Sequence, residues 1–179
     1  MDAVSAREAG SAVRSWTGSK AAWFVMVVGS VLAVDLITKL AIQQSLHLYE
    51  QVPIIGDYLR LTYIYNPGAA FGIQLGPHSR AVFMVLSVVA LVLLGGMYWN
   101  TPIHDRVRLT AISLVCGGAV GNLVDRVRSP HGVVDFLDVG VGDIRWPVFN
   151  IADIAVTTGA ILLALSLWRE ERQDEPAGI

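Results

Sequence analysis

Four runs of about 20 apolar residues leave this chain few folds to choose from. A run of that length crosses a lipid bilayer as a helix, where each backbone N–H and C=O must be paired within the segment. The runs are Ala21 to Ile42, Ala81 to Trp99, Leu109 to Val124 and Val148 to Trp168. The third is short for a bilayer, but Gly117, Gly118 and Gly121 suit close helix packing. Charged residues make up only 16% of the 179 positions, and mean hydropathy is +0.54. A soluble domain carries about 25% charged residues. The predicted class is an all-α membrane protein with four transmembrane helices, a small β-sheet and an irregular connection on the outer face.

The first run has no clean small-residue cleavage site and continues through Asp35 and Lys39, so it reads as an uncleaved span rather than a signal peptide. Residues 1–20 read as a mobile polar tail, 21–168 as the membrane domain and 169–179 as a charged tail. An even span count puts both termini on one side. That side carries Arg7, Arg14, Lys20, Arg106, Arg169 and Arg172, and the other carries Arg60, Arg80, Arg126, Arg128 and Arg145. Positive-inside counting leans toward cytoplasmic termini. Residues 44–79 and 127–147 then lie outside. Leu59, Leu61, Tyr63 and Tyr65 alternate with Arg60, Thr62 and Ile64, a strand period, and Asn66-Pro67-Gly68 signals a turn. Residues 127–147 hold Pro130, Gly132, Gly140, Gly142 and Pro147 and read as mostly irregular, with Val133 to Val139 as a short helix or strand.

Ionisable residues at membrane depth are expensive and mark function by default. Three clusters interrupt the apolar background: G-N-L-V-D-R (Gly121 to Arg126), V-V-D-F (Val133 to Phe136) and F-N-I-A-D (Phe149 to Asp153). Helical spacing puts Asn122, Asp125 and Arg126 at the outer end of the third span. Asn150 and Asp153 share a face in the first turns of the fourth. At about 1.5 Å per residue, Asp153 lies roughly 8 Å inside Val148, and Asp35 roughly 12 Å below Gln43. All these groups converge in one leaflet. Each also has a structural reading. Asp35 with Lys39 suits an ion pair in the bundle, and Asp125 with Arg126 a helix-end pair. Asn122 and Asn150 suit interhelical hydrogen bonds, and Asp135 an ordinary loop acid. Position alone ranks Asp125 beside Asp153 and leaves Asp135 third.

Five blocks in order resemble signal peptidase II, the bacterial lipoprotein signal peptidase family. They are D-x-x-x-K (Asp35 to Lys39), N-P-G-A-A-F (Asn66 to Phe71), G-G-A-V-G-N-L-V-D-R (Gly117 to Arg126), V-V-D-F and F-N-I-A-D. The resemblance spans residues 21 to 168. It implies an aspartic endopeptidase whose catalytic pair is Asp135 and Asp153. Asp35, Lys39, Asn66, Gly68, Asn122, Arg126 and Asn150 would shape or support the site, and Asp125 would be structural beside it. Asn66, aimed inward by its turn, is expected to handle substrate rather than the dyad. The implied substrates are diacylglyceryl-modified prolipoproteins, cut before the lipidated cysteine, with membrane lipids as the other partners. The implied location is the bacterial cytoplasmic (inner) membrane, with the active site at the outer leaflet.

No cofactor or metal is expected, since His47, His78, His104 and His131 have no ligand spacing. A net charge of −2 gives no sign of nucleic-acid binding, and a monomer is expected. Cys116, the only cysteine, reads as packing. A transporter or proton channel would also bury Asp, Lys and Arg, but here the charges sit at one leaflet and the second span has none. A structural subunit would not need three Asp at one face.

Overall fold

The computed structural model describes residues 3–68 and 76–174, so Ala69 to Phe71 of the N-P-G-A-A-F block lie outside the described residues. Four helices, α1 (Ala3–Ser45), α2 (Ser79–Asn100), α3 (Arg106–Arg128) and α4 (Ile151–Asp174), carry a sheet at one end of the bundle. Each has a stretch long and apolar enough to cross a membrane, within Ser19–Ser45 for α1 and Ile151–Arg172 for α4. Their outward faces are apolar: Val85, Val92 and Leu93 of α2 are 61–69% exposed, a surface that lipid but not water can cover.

All four helices are longer than the hydropathy pattern predicts, α1 and α3 by the most. α1 begins at Ala3, so the stretch expected to be a tail is helical; Ala3, Ala6, Ala9 and Ala12 favour that state, and no proline interrupts it. α3 is 23 residues rather than the short span expected. Asp105 caps it by accepting from the Arg108 N–H at 3.0 Å, and the polar V-D-R-V-R end continues the helix.

α3 is the central element and packs on α1, α2 and α4. Its glycines permit this. A Cβ on Gly118 would lie 2.3 Å from the Ala152 carbonyl oxygen of α4, and one on Gly121 would lie 2.8 Å from Asp35 Oδ2 of α1. Gly118→Ala is therefore expected to destabilise by about 1–3 kcal/mol through overpacking against rigid backbone. An unchanged thermal midpoint in detergent would contradict that close approach.

The sheet has four antiparallel strands in sequential order: β1 (Gln51–Ile55), β2 (Leu59–Asn66), β3 (Val133–Val141) and β4 (Ile144–Arg145). Residues 127–147 are thus more regular than their turn residues suggest, and the Val133 segment is a strand. It is ordered by pairing with β2, from Leu59 against Val139 to Asn66 against Val133. At β2's centre Thr62 and Tyr63 are both buried, so the alternation is not a simple one of inside and outside. Tyr63 joins Ile42, Val134 and Phe136 in a core under the sheet, whereas Thr62 donates to Asp138 Oδ2 at 2.9 Å. Gly132 turns the chain into β3 with φ +107°, and its missing Cβ lets the Asn66 carbonyl pass where 2.2 Å would otherwise separate them.

Candidate active site

The geometry of the site starts at Phe149. Its carbonyl accepts from the N–H groups of Phe136 (3.0 Å) and Leu137 (2.8 Å), and its own N–H donates to Leu137 O at 3.1 Å. This bridge fixes the start of α4 beside β3. It brings Asp135 on the strand next to Asn150 and Asp153 at the helix N-terminus.

F-N-I-A-D then folds as a capping box. The Asp153 N–H donates to Asn150 Oδ1 at 2.9 Å, and the Asn150 N–H donates back to Asp153 Oδ2 at 3.2 Å. Asn150 is fully buried, and its Nδ2 lies 2.7 Å from Asp135 Oδ1 and 3.0 Å from Asn122 Oδ1. One residue therefore links both carboxylates, Asp135 through its side-chain amide and Asp153 through its backbone N–H. Asn122 repeats the motif from α3: its Nδ2 donates to Asp153 Oδ1 at 2.7 Å. Asn66, at the end of β2, donates to Asp135 Oδ2 at 2.8 Å, while its own Oδ1 accepts the Gly68 N–H at 3.0 Å.

Below this layer sits Lys39 of α1, 2% exposed. Its ammonium donates to Asp35 Oδ2 (2.7 Å), Asp125 Oδ2 (2.8 Å) and Asn122 Oδ1 (3.3 Å), which uses all three protons. Asp35 Oδ1 accepts the Ala152 N–H at 2.9 Å, which ties α1 to the first turn of α4. Arg126 donates from its Nη atoms to Asn122 O (3.2 Å) and Gly68 O (3.1 Å). Its buried Nε has no hydrogen-bond partner among the described residues.

All ten residues singled out from the sequence meet here. Two differ from expectation. Asp125 pairs with Lys39 rather than with the adjacent Arg126, because successive helix residues point to different faces. Asn66, expected to spare the dyad, is in direct contact with Asp135. The structural readings of Asp35–Lys39, Asn122 and Asn150 hold too, since these groups brace the bundle while they orient the carboxylates.

Asp135, on a strand outside the spans, is 1% exposed. Burial pushes its carboxyl up to about 7, the charge of Asp153 adds to this, and the hydrogen bonds from Asn66 and Asn150 and the charge of Lys39 pull the other way. Such a group is still partly protonated near neutral pH, where an ordinary carboxyl is fully ionised. Among the described residues no three His, Cys, Asp or Glu side chains converge in a way that could hold a metal ion.

Sequence reasoning missed three features. Arg80 Nε donates to Arg126 O at 2.7 Å. Asp138, buried in β3, accepts from Arg145 Nε at 2.6 Å as well as from Thr62, and so locks β4 to the sheet. Strand parity was the available signal there, because Asp138 falls on the opposite face from Asp135. The third is a cavity of about 280 Å³ between Asn66, Asp153, the Trp146–Phe149 stretch and the Ile154, Thr157 and Thr158 face of α4. It is mostly apolar and reaches one carboxylate of the pair.

A family model described as "Signal peptidase (SPase) II" matches residues 27–169. The lipoprotein signal peptidase of Halothermothrix orenii is 43% identical over 147 residues, 82% of this chain and 96% of that protein. That of Syntrophotalea carbinolica is 41% identical over 147 residues, 82% of this chain and 91% of its own. A solved bacterial membrane enzyme, determined by the in meso method at 2.3 Å, superposes with a TM-score of 0.76 at 29% identity. The match covers 87% of this chain and 93% of that one.

Proposed function

The chain belongs to the signal peptidase II family, and on that premise we propose that Asp135 and Asp153 are its catalytic dyad. The activity is aspartic endoproteolysis: removal of signal peptides from diacylglyceryl-modified prolipoproteins, cut before the lipidated cysteine. The observation that carries the assignment is Asn150, which hydrogen-bonds to Asp135 while its amide N–H and carbonyl engage Asp153. Purified protein should cut a lipidated precursor in detergent. Intact precursor after prolonged incubation would overturn the reading.

The residues divide the work as follows. Asp135 carries the proton and polarises the scissile carbonyl. Asp153, held by Asn122 and Asn150, takes a proton from the attacking water as its oxygen adds to the carbonyl carbon. The tetrahedral intermediate collapses with cleavage of the C–N bond, and Asp153 returns the proton to the leaving amine. Arg126, through the Nε–H that no described residue engages, and Asn66 hold substrate carbonyls. The apolar cavity along α4 receives the substrate from the bilayer. Residues 21–168 make up the peptidase domain, and all ten site residues belong to one chain, which supports action as a monomer.

Asn66→Ala should lower kcat/KM roughly threefold to a hundredfold, the range for one lost hydrogen bond that strands a partner. It should also move the pH profile. Asn66 stabilises the ionised form of Asp135, so its loss raises that group further and shifts the alkaline limb to higher pH. An unchanged kcat/KM and an unmoved limb would remove Asn66 from the site.

The sheet faces the outer side of the cytoplasmic membrane, with both termini in the cytoplasm. Support comes from four spans and the charge bias. Single cysteines on a Cys116→Ser background test this. Position 57 should label from outside and position 104 should not; the reverse would invert the topology.

A further inference from the structure

A second cavity, of about 210 Å³, shares no lining residue with the one along α4. It lies between α1, the end of α3 and the sheet. Lys39, Gln43, Tyr65, Asp125, Arg128 and Ser129 supply its polar wall, and Leu36 and Leu40 its apolar edge. We propose that it binds the headgroup of a phospholipid bearing a phosphate and a primary ammonium. The phosphate meets Arg128, Ser129 and Tyr65, and the ammonium meets Asp125.

Four observations carry this. Arg128 is exposed and makes no ion pair or hydrogen bond among the described residues, so its guanidinium is free for a phosphate. The Tyr65 hydroxyl accepts from Tyr63 (2.9 Å) and Gln43 (3.4 Å), which leaves its own O–H to donate. Asp125 commits Oδ2 to Lys39 and the Val134 N–H, whereas its Oδ1 takes no hydrogen bond among the described residues. Leu36, Leu40 and Gln43 form one stripe on α1 at helical spacing. Leu36 and Leu40 are 45% and 43% exposed, so the stripe leads from the acyl-chain region up to the polar wall.

The charges select among lipids. An anionic headgroup brings a phosphate for Arg128 but no cation of its own to answer the Asp125 carboxylate. A choline headgroup has a cation but no N–H to donate. A primary ammonium satisfies Asp125 by charge and by hydrogen bond.

Occupancy reaches the dyad through a short path. Asp125 holds Lys39 at 2.8 Å, Lys39 holds Asn122 at 3.3 Å, and Asn122 holds Asp153 at 2.7 Å. An ammonium on Asp125 relieves its demand on Lys39 and changes how firmly Asn122 orients Asp153. The lipid is thus an activator of the peptidase; this regulatory part rests on the dyad assignment, whereas lipid binding does not.

Full-length protein in nanodiscs of phosphatidylcholine, supplemented with phosphatidylethanolamine or phosphatidylglycerol at equal fraction, tests both parts. Lipid retained after extraction is read by native mass spectrometry, and kcat/KM is read on a lipidated precursor. Wild-type protein should retain phosphatidylethanolamine at least about fivefold over either other lipid, a preference of about 1 kcal/mol. Arg128→Gln should lose the preference while keeping wild-type kcat/KM in pure phosphatidylcholine, and Arg128→Lys should keep part of it. Phosphatidylethanolamine should raise kcat/KM in wild type and not in Arg128→Gln. Equal retention of the three lipids, or a preference that survives Arg128→Gln, overturns the site. Phosphatidylglycerol matching phosphatidylethanolamine overturns the role of Asp125. Selective retention without a change in kcat/KM overturns the coupling and leaves the dyad assignment standing.

Discussion

Asp135→Asn and Asp153→Asn are each expected to lower kcat/KM by more than about a thousandfold while the protein inserts and folds. The chemistry needs one group to accept a proton from water and another to donate one to the carbonyl oxygen. An amide does neither. The double variant should lose about as much as either single one, because the two groups act as a unit. Asp125→Asn should be far milder, since that carboxylate faces Lys39 and not the pair. Near wild-type turnover in either dyad variant would end its assignment. The same pair sets a pH dependence. Asp135 is pushed up to about 7, chiefly by burial and then by Asp153, so activity should fall as pH rises through 7 and its proton is lost. Stability follows the same sign. Between about 4, the ordinary carboxylate value, and 7, the folded protein holds a proton that the unfolded chain has released. Folding should therefore be favoured as pH falls across that window, and the full cost of charging Asp135 should apply above it. Thermal midpoints at pH 5 and 8 measure this, and Asp135→Asn should flatten the difference.

Lys39→Met should destabilise the protein by about 3–5 kcal/mol, the range for removing one partner of a buried ion pair. Methionine fills the aliphatic volume but leaves Asp35 and Asp125 without their cation and Asn122 Oδ1 with only the Asn150 amide as donor. Adding Asp35→Asn should recover part of the loss, because one uncompensated charge disappears. Cleavage should fall with stability, since Asn122 orients Asp153. A melting midpoint in detergent unchanged by Lys39→Met would show that the triad contributes nothing.

The spans were legible because lipid enforces long apolar runs, and helical spacing then placed Asn122, Asn150, Asp153 and Lys39 in one leaflet. Asp135 was not legible this way. Its neighbour in the site comes from a backbone bridge between Leu137 and Phe149, and no side-chain period encodes that pairing. Position therefore favoured Asp125, and only the order of the family's motifs pointed to Asp135. The Asp138–Arg145 pair escaped for a related reason. Both residues read as loop charges until β3 is seen as a strand paired to β2. The helical start of α1 is polar, and polarity alone does not separate a helix from a tail; its alanines do.

The capping box that seats Asp153 also bears on how the enzyme could escape an inhibitor. Asn150 and Asp153 satisfy each other's backbone, and Asn66 holds both a turn and the Asp135 carboxylate. A compound whose polar contacts are confined to these three groups meets positions where substitution damages folding and turnover together. Resistance would then have to arise in the walls, at Ile154, Thr157 or Thr158, whose side chains shape the cavity and make no hydrogen bond to Asp135 or Asp153 among the described residues. Anchoring affinity in the amide network and keeping wall contacts small would narrow that route.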